Sequence, residues 1–126
     1  MARRLTAPAP GALEADRQSQ IIAYLQRHPS VSFLIRINSG GGRVHGRRWL
    51  WFYTLFPRGA ETKPGTGVPD IIGMLRDGRF LAIDVKRPGE TATEDQKQFI
   101  AMVAKAGGVS GTAESWMDVE KLLTGD

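Results

Sequence analysis

Two apolar segments, residues 71–75 and 80–86, lie on either side of the dipeptide Asp77-Gly78. Such a dipeptide between apolar runs is the strongest short-range signal for a β-hairpin. With a two-residue loop, Asp70 and Asp84 would lie on opposite faces of that hairpin. With a three-residue loop that holds the glycine in the left-handed conformation, they would lie opposite one another on one face. We expect the three-residue loop, which brings two carboxylates together.

The second of these strands carries charge on one of its two faces. Side chains alternate faces along a strand, so its branched apolar residues face a core, whereas Asp84 and Lys86 lie side by side on the other face. A half-buried carboxylate needs a partner, and a salt bridge to Lys86 or Arg87 is one explanation. A cation is the other, because Asp70 and Asp84 repel each other unless a positive charge lies between them. The backbone carbonyl of Val85, at the strand end, is a further candidate ligand.

The composition restricts which cation this is. The 126 residues include no cysteine and only two histidines, which excludes a thiolate zinc site and a cysteine nucleophile and disfavours a Ser-His-Asp triad. Oxygen ligands suit Mg²⁺ or Mn²⁺. An ion bridged by Asp70 and Asp84 can bind a phosphodiester oxygen and activate a water, while Lys86 orients that water and offsets charge on the transition state. The pattern indicates metal-dependent phosphodiester hydrolysis.

The charge of the chain is unevenly distributed. Its formal net charge is +4, yet residues 17–60 contain seven arginines and no acid. A basic segment favours a polyanion partner, because binding to phosphates releases counterions. The candidate DNA contacts are Arg36, Arg43, Arg47 and Arg48. Gly40-Gly41-Gly42 lacks the ending of a nucleotide-binding loop, and Trp49, Trp51 and Phe52 are more typical of a core or a dimer contact than of base stacking.

The periodicity predicts one domain over residues 12–126, preceded by a flexible basic arm over residues 1–11. No apolar run is long enough to cross a membrane, and a chain without cysteines or a signal-peptide pattern is expected inside the cell.

Two helix starts can be predicted from capping residues. Thr93 and Gln96 form a capping box that begins the second helix, and Ser115 caps a third helix, with Trp116 on its inward side. The predicted order of elements is α-β-β-β-β-α-β-α. The helices are predicted over residues 12–28, from residue 94 and from residue 116. The strands are predicted over residues 31–38, where side chains alternate, and over residues 49–56, 71–75, 80–86 and 109–113.

Pro69-Asp70, thirteen further residues and then Asp84-Val85-Lys86 resemble the PD-(D/E)xK nuclease signature. With its surrounding motifs, the chain from about Leu13 to Leu123 is similar to the VRR-NUC family (virus-type replication-repair nucleases), especially to stand-alone phage-type members. Those motifs are Glu14 in an N-terminal helix, Arg36-Ile37-Asn38-Ser39-Gly40, Gly67-Val68-Pro69-Asp70-Ile71-Ile72-Gly73, Gly78-Arg79-Phe80-Leu81-Ala82-Ile83-Asp84-Val85-Lys86 and Gln96. The family usually has Glu where this chain has Asp84, so the carboxylate is retracted by one methylene.

The resemblance implies an α/β (α+β) fold with a restriction-endonuclease-like core, in which helices flank a mixed β-sheet. It also implies functional roles for Glu14, Asp70, Asp84, Lys86 and Gln96. Glu14 would ligate the ion directly or through water, although an acid near a helix start also complements the helix dipole. Gln96 has a structural interpretation, as the third residue of the capping box, and a functional one, in which its side chain also reaches the site and positions Lys86 or a water on the metal.

The expected function is that of a Mg²⁺- or Mn²⁺-dependent DNA endonuclease, which family likeness directs to branched or junction DNA. The same likeness associates the chain with phage, with replication and repair, and with the cytoplasm of a bacterial or phage-infected cell. A homodimer is expected, because such small enzymes often cut both strands. The alternative is a non-catalytic DNA- or junction-binding module, or a subunit that needs a partner such as a helicase.

Overall fold

The computed structural model of this protein describes residues 13–37, 43–44, 47–48, 55–59 and 67–125, with the backbone alone for residues 13–15, 43–44 and 47–48. The described helices and strands follow the predicted order, apart from two short strands at residues 43–44 and 47–48 that the sequence did not predict. The elements are α1 Leu13–Gln26, β1 Val31–Arg36, β2 Arg43–Val44, β3 Arg47–Arg48, β4 Ile71–Leu75, β5 Phe80–Val85, α2 Glu94–Lys105, β6 Val109–Ala113 and α3 Trp116–Thr124.

Four of the strands form one mixed sheet in the order β1-β4-β5-β6. The pairs β1–β4 and β4–β5 are antiparallel, and β5 pairs with β6 in parallel. A parallel pair needs a crossover connection, which α2 supplies. β2 and β3 form a separate antiparallel pair. The predicted mixed sheet flanked by helices is confirmed, and its strand order is compatible with a PD-(D/E)xK-like fold.

The hairpin between β4 and β5 has the predicted three-residue loop. Met74 pairs with Phe80 and Ile72 pairs with Ala82, as that loop requires. Gly78 has a φ of 93°, a left-handed conformation that glycine adopts without steric cost. The amide of Leu75 donates to the carbonyl of Arg79 at 2.8 Å and closes the loop. Continued from Ile72 to the residue before β4, this register places Asp70 beside Asp84.

The core lies on both faces of β5, which is buried along almost its whole length. On one face, Leu81, Ile83 and Val85 pack against apolar side chains of α1 and α3. On the other face, Ala82 packs against Phe99 and other side chains of α2. Full burial of one large aliphatic side chain contributes about 1.5–3 kcal/mol, so this central strand anchors the domain. The face that carries Asp84 is therefore the face that α2 covers.

The second helix begins as predicted. The side chain of Thr93 accepts from the amide of Gln96, and the side chain of Gln96 accepts from the amide of Thr93, which completes the capping box. The third helix begins after Ser115, but the side chain of Ser115 makes no capping hydrogen bond. Instead, a carboxylate oxygen of Asp118 accepts from the amide of Glu114 at 2.9 Å. A side chain from inside the helix thus satisfies a donor just before it.

Two expectations about sidedness are wrong. The alternation predicted for residues 31–38 breaks near its start, because the register of β1 against β4 shifts between Val31 and Phe33, and β1 ends at Arg36. Leu34 packs on the core while Phe33 and Ile35 remain about half exposed. Trp116 does not face inward either: it is 46% exposed, and its ring lies 5.2 Å from that of Tyr24 on the surface of α1.

Some predictions lie outside the described residues. These are the basic arm over residues 1–11 and most of the strand over 49–56, of which the structure describes Leu55, in an isolated bridge, and Phe56, which is in no strand. The first helix ends at Gln26, two residues before the predicted end. Within the described part of the chain, the helices are too short and too polar to cross a membrane.

Candidate active site

The carboxyl end of β5 and the residue that precedes β4 meet at one edge of the sheet. Asp70 lies directly before β4, and one of its carboxylate oxygens, Oδ2, accepts from the backbone amide of Val85 at 2.9 Å. Its carbonyl accepts from the amide of Ile37, which follows β1, at 2.7 Å. Asp70 is therefore held by the ends of two neighbouring strands. The sequence suggested the carbonyl of Val85 as a ligand but did not predict that the amide of Val85 donates to Asp70.

Asp84 is fully buried, and its two carboxylate oxygens have different surroundings. Oδ1 accepts from the side-chain amide of Gln96 at 3.3 Å. Oδ2 lies 2.8 Å from the ammonium nitrogen of Lys86, but the angles at this contact are not those of a hydrogen bond, so Oδ2 has no hydrogen-bond donor. The salt bridge considered from the sequence exists, and it leaves one buried carboxylate oxygen under-coordinated.

Lys86 is also largely buried, with 9% of its surface exposed. Its ammonium nitrogen donates to Oε1 of Gln96 at 3.0 Å while it lies beside Asp84. An ammonium group has three donors, and these two contacts occupy two directions around the nitrogen. The ammonium is thus oriented by groups from β5 and α2 and retains a donor for a ligand at the strand end.

Gln96 connects helix capping to the site. Its Oε1 accepts both from the amide of Thr93 at 2.9 Å and from the ammonium of Lys86 at 3.0 Å. Its Nε2 donates to Asp84. The two alternatives considered for this residue therefore coexist, because one side chain completes the capping box and also contacts both charged residues of the strand.

The loop before Asp70 lies directly against the first turn of α2. A β-carbon at Gly67 would lie 2.7 Å from the backbone carbon and oxygen of Asp95, closer than real contacts allow. Pro69 is buried, and Val68 packs on the apolar cluster beneath α2. This close approach joins the two segments that carry Asp70 and Gln96. The sequence motif contains Gly67 but does not show which element it touches.

The first helix brings a different group to this edge. Arg17 donates to the carbonyl of Glu114 at 2.6 Å, and Glu114 follows the carboxyl end of β6. The amide of Lys86 also donates to the carbonyl of Ala113, the last residue of β6. The N-terminal half of α1 therefore lies close to the strand ends. Glu14 is in its first turn, but the side chain of Glu14 is outside the described residues.

The candidate DNA contacts are only partly described. Arg36 is exposed and pairs with Ile71, the residue after Asp70, so it lies at the same edge of the sheet. The alternation of side chains along β4 puts it on the face opposite to Asp84. Arg43, Arg47 and Arg48 lie in β2 and β3, and their side chains fall outside the described residues. Their role in binding DNA stays a prediction.

The sequence motifs did not point to Glu90, an acid that lies near the site. Glu90 accepts from the amide of Arg87 at 2.9 Å. This hydrogen bond lowers the pKa of Glu90 below its ordinary value, with smaller contributions from the positive charges of Lys86 and Arg87. Glu90 stands three residues after Arg87, with Pro88-Gly89 between them. This pattern is the sequence signal that would have predicted a turn closed by the carboxylate.

At this site the described side chains provide two carboxylates, and the described residues contain no group of three acidic or histidine side chains that could hold a metal ion.

Among known proteins, residues 61–116 match the family model of the VRR-NUC domain, a segment that includes Asp70, Asp84, Lys86 and Gln96. Comparisons with curated proteins and with solved structures gave no significant match. The family match confirms the resemblance over residues 61–116, whereas the motifs at Glu14 and at residues 36–40 lie outside the matched segment. It supports a nuclease function with DNA as the substrate.

Proposed function

Because residues 61–116 match the VRR-NUC domain, we propose that the protein is a DNA endonuclease that depends on Mg²⁺ or Mn²⁺. The observation that carries this proposal is the buried Oδ2 of Asp84, which lies beside an ammonium but has no hydrogen-bond donor. Lys86 balances the charge of this oxygen, but the oxygen accepts no hydrogen bond and so retains lone pairs for a further ligand. A cation at the strand end would coordinate it there.

The donor set fits a hard divalent ion. Asp70 and Asp84 supply carboxylate oxygens, and the chain has no cysteine to favour a softer metal. We expect the carbonyl of Val85 and, directly or through water, Glu14 to complete the ligands. A bound ion of this kind supplies Lewis-acid polarisation of a phosphodiester.

The charged residues of the chain have separate tasks in this proposal. Lys86 donates to the attacking water or to the phosphoryl oxygens as negative charge grows on them in the transition state. Gln96 holds that ammonium in place from the α2 side and keeps Asp84 oriented through Oδ1. Since all three groups are held before substrate arrives, little reorganisation is required during the reaction.

The finer parts of the proposal concern DNA. Arg36, Arg43, Arg47 and Arg48 are proposed to contact backbone phosphates. Branched or junction DNA is the proposed substrate, a homodimer the proposed assembly, and replication-repair work in the cytoplasm of a bacterial or phage-infected cell the proposed setting. A helicase is a candidate partner.

A cleavage panel tests the proposal. Labelled linear duplex, flap, splayed-arm and four-way junction DNAs are incubated with the protein and Mg²⁺, Mn²⁺ or EDTA. We expect cleavage only with a divalent ion, faster on at least one branched DNA than on linear duplex. Asp84→Asn should abolish it, whereas the matched variant Asp77→Asn should not. Binding without cleavage under every condition would favour the alternative of a non-catalytic module, and cleavage restored by a helicase would favour a partner-dependent subunit.

The metal has its own readout without DNA. Mn²⁺ should raise the melting temperature of the wild type in proportion to the logarithm of its concentration above Kd. The same shift should be absent from Asp84→Asn. An equal shift in both proteins would contradict a site at Asp84.

A further inference from the structure

The segment that follows β5 is a tight turn, which the carboxylate of Glu90 helps to close. In Arg87-Pro88-Gly89-Glu90, the amide of Glu90 donates to the carbonyl of Arg87 at 3.0 Å. The carboxylate of Glu90 returns to accept from the amide of Arg87 at 2.9 Å. Proline and glycine occupy the central positions that a type II turn favours. The backbone of Arg87 is thus fixed directly after Lys86.

The side chains of this turn are less firmly paired than its backbone. The guanidinium of Arg87 lies 3.7 Å from Glu90, and the side chain of Arg87 is 49% exposed. An exposed ion pair at this distance contributes little to stability, so it opposes an exchange of partners only weakly. A guanidinium presents five donors in a fork that matches a phosphate, and this pairing leaves most of them accessible.

Glu90 places a negative charge where the substrate must bring one. The amide of Arg87 and, to a smaller extent, the positive charges of Lys86 and Arg87 lower the pKa of Glu90. A phosphate that binds to the guanidinium of Arg87 would take the place of this carboxylate. A phosphate pairs with a guanidinium through two parallel hydrogen bonds, which are stronger than the long contact to Glu90.

We propose that Arg87 binds a DNA backbone phosphate next to the scissile one, and that Glu90 neutralises its guanidinium in the free protein until this phosphate replaces it. The turn itself survives the exchange, because Glu90 holds it through the amide of Arg87 and not through the guanidinium. This inference rests on the proposed function and adds a binding residue that the motifs do not contain.

The test measures DNA binding without cleavage, by fluorescence anisotropy of labelled duplex and junction DNA in EDTA. The matched control is the pair Asp77–Arg79, which lies at the opposite end of β5 and is similarly exposed. We expect Arg87→Ala to weaken binding about tenfold and to reduce the salt slope by about one. Arg79→Ala should change affinity less than twofold, and Arg87→Lys should fall between them.

The role of Glu90 is tested in the same binding assay. Glu90→Gln should strengthen DNA binding about threefold, because the charge that competes with phosphate is removed while an acceptor for the amide of Arg87 remains. This gain should disappear in the Arg87→Ala background. Asp77→Asn is the control and should give no comparable gain.

The outcomes separate the two proposals. Equal effects of Arg87→Ala and Arg79→Ala, or a gain from Glu90→Gln that persists without Arg87, would overturn this inference and leave the nuclease proposal intact. Failure of the wild type to bind any DNA would contradict both. Since Arg87 joins the turn through backbone atoms, its variants should fold, which circular dichroism checks; loss of fold in Arg87→Lys as well would also count against a surface contact.

Discussion

The two ends of strand β5 carry the same short pattern, an acid followed two residues later by a cation. At the hairpin end, Asp77 and Arg79 are 2.8 Å apart, with side chains about half exposed. At the other end, Asp84 and Lys86 are also 2.8 Å apart, but their side chains are 1% and 11% exposed. Sequence spacing and ion-pair distance are equal, so burial and the groups packed around each pair separate an ordinary surface pair from a candidate active site.

The difference arises from what packs on each end. Asp77 accepts from both the backbone and the side chain of Arg79, so its partners lie within its own loop. Asp84 receives Gln96 from α2, a helix ten residues further along the chain, and lies beside the Asp70 loop. Elements distant in sequence therefore close over one end of the strand. There the charge pair is desolvated, and each charge depends on its partner.

The largest expected effect is on cleavage. Asp84→Asn keeps the shape of the side chain and removes its charge, so the initial rate of cleavage of labelled DNA with Mn²⁺ should fall about a thousandfold or more. Asp77→Asn, the same change at the hairpin end, should remain within twofold of wild type. A wild-type rate for Asp84→Asn would break the comparison between the two ends.

A second contrast concerns stability without metal. Lys86→Met leaves the buried charge of Asp84 without its cation and should lower the free energy of unfolding by about 3–5 kcal/mol. Arg79→Met removes an exposed charge and should change it by about 0.5 kcal/mol or less. Urea unfolding at neutral pH in EDTA measures both. Equal values would mean that burial does not distinguish the pairs.

Two glycines sharpen the comparison, since Gly67 lies at the catalytic end and Gly78 at the hairpin end, both with positive φ. Alanine at either position should lower the free energy of unfolding by about 1–2 kcal/mol, because its β-carbon disfavours a positive φ. At Gly67 it also meets the backbone of Asp95, so Gly67→Ala should cost about 2–4 kcal/mol. Thermal unfolding compares the two variants. A smaller cost at Gly67 would contradict the close approach of this loop to α2.

Gln96 tests the link between the helix cap and the site. Gln96→Ala should destabilise the protein by about 1 kcal/mol through loss of the capping box. It should also lower kcat about tenfold or more, because Lys86 and Asp84 lose an orienting partner. Gln98→Ala, an exposed position in the same helix, is the control for general effects on α2. Loss of stability without loss of kcat would assign Gln96 to the cap alone.

The smallest effect is the pH response of the hairpin end. Hydrogen bonds from Arg79 hold the pKa of Asp77 below its ordinary value of 3.8. A carboxyl with a lowered pKa stabilises the folded state above that ordinary value and loses this contribution as the pH falls through the lowered one. Melting temperatures of wild type and Asp77→Asn should therefore differ by about 2 °C or less at pH 6. The difference should shrink toward pH 3 and in high salt, and a gap that widens on acidification would contradict this sign.

Local signals in the sequence account for the parts that were predicted correctly. The Asp77-Gly78 turn and Gly78 specify the hairpin register, which in turn places Asp70 beside Asp84. Thr93 and Gln96 specify where α2 begins, because a capping box acts within four residues. Each of these depends on neighbours in sequence, which is why single-chain patterns reveal them.

Other features depend on contacts that no local pattern contains. The bulge in β1 turns Phe33 and Ile35 toward solvent, since its register is set by β4 and not by its own alternation. Trp116 lies on Tyr24 at the surface because α1 and α3 meet there.

The sequence by itself determined the hairpin, the sidedness of β5 and the residues that the family match shares with the motifs. Only the tertiary structure decided that Gln96 contacts both Asp84 and Lys86 and that Gly67 lies against Asp95. The physical reason is range: turns and caps are closed by hydrogen bonds between near neighbours, whereas burial of a charge requires distant elements to exclude water from it together.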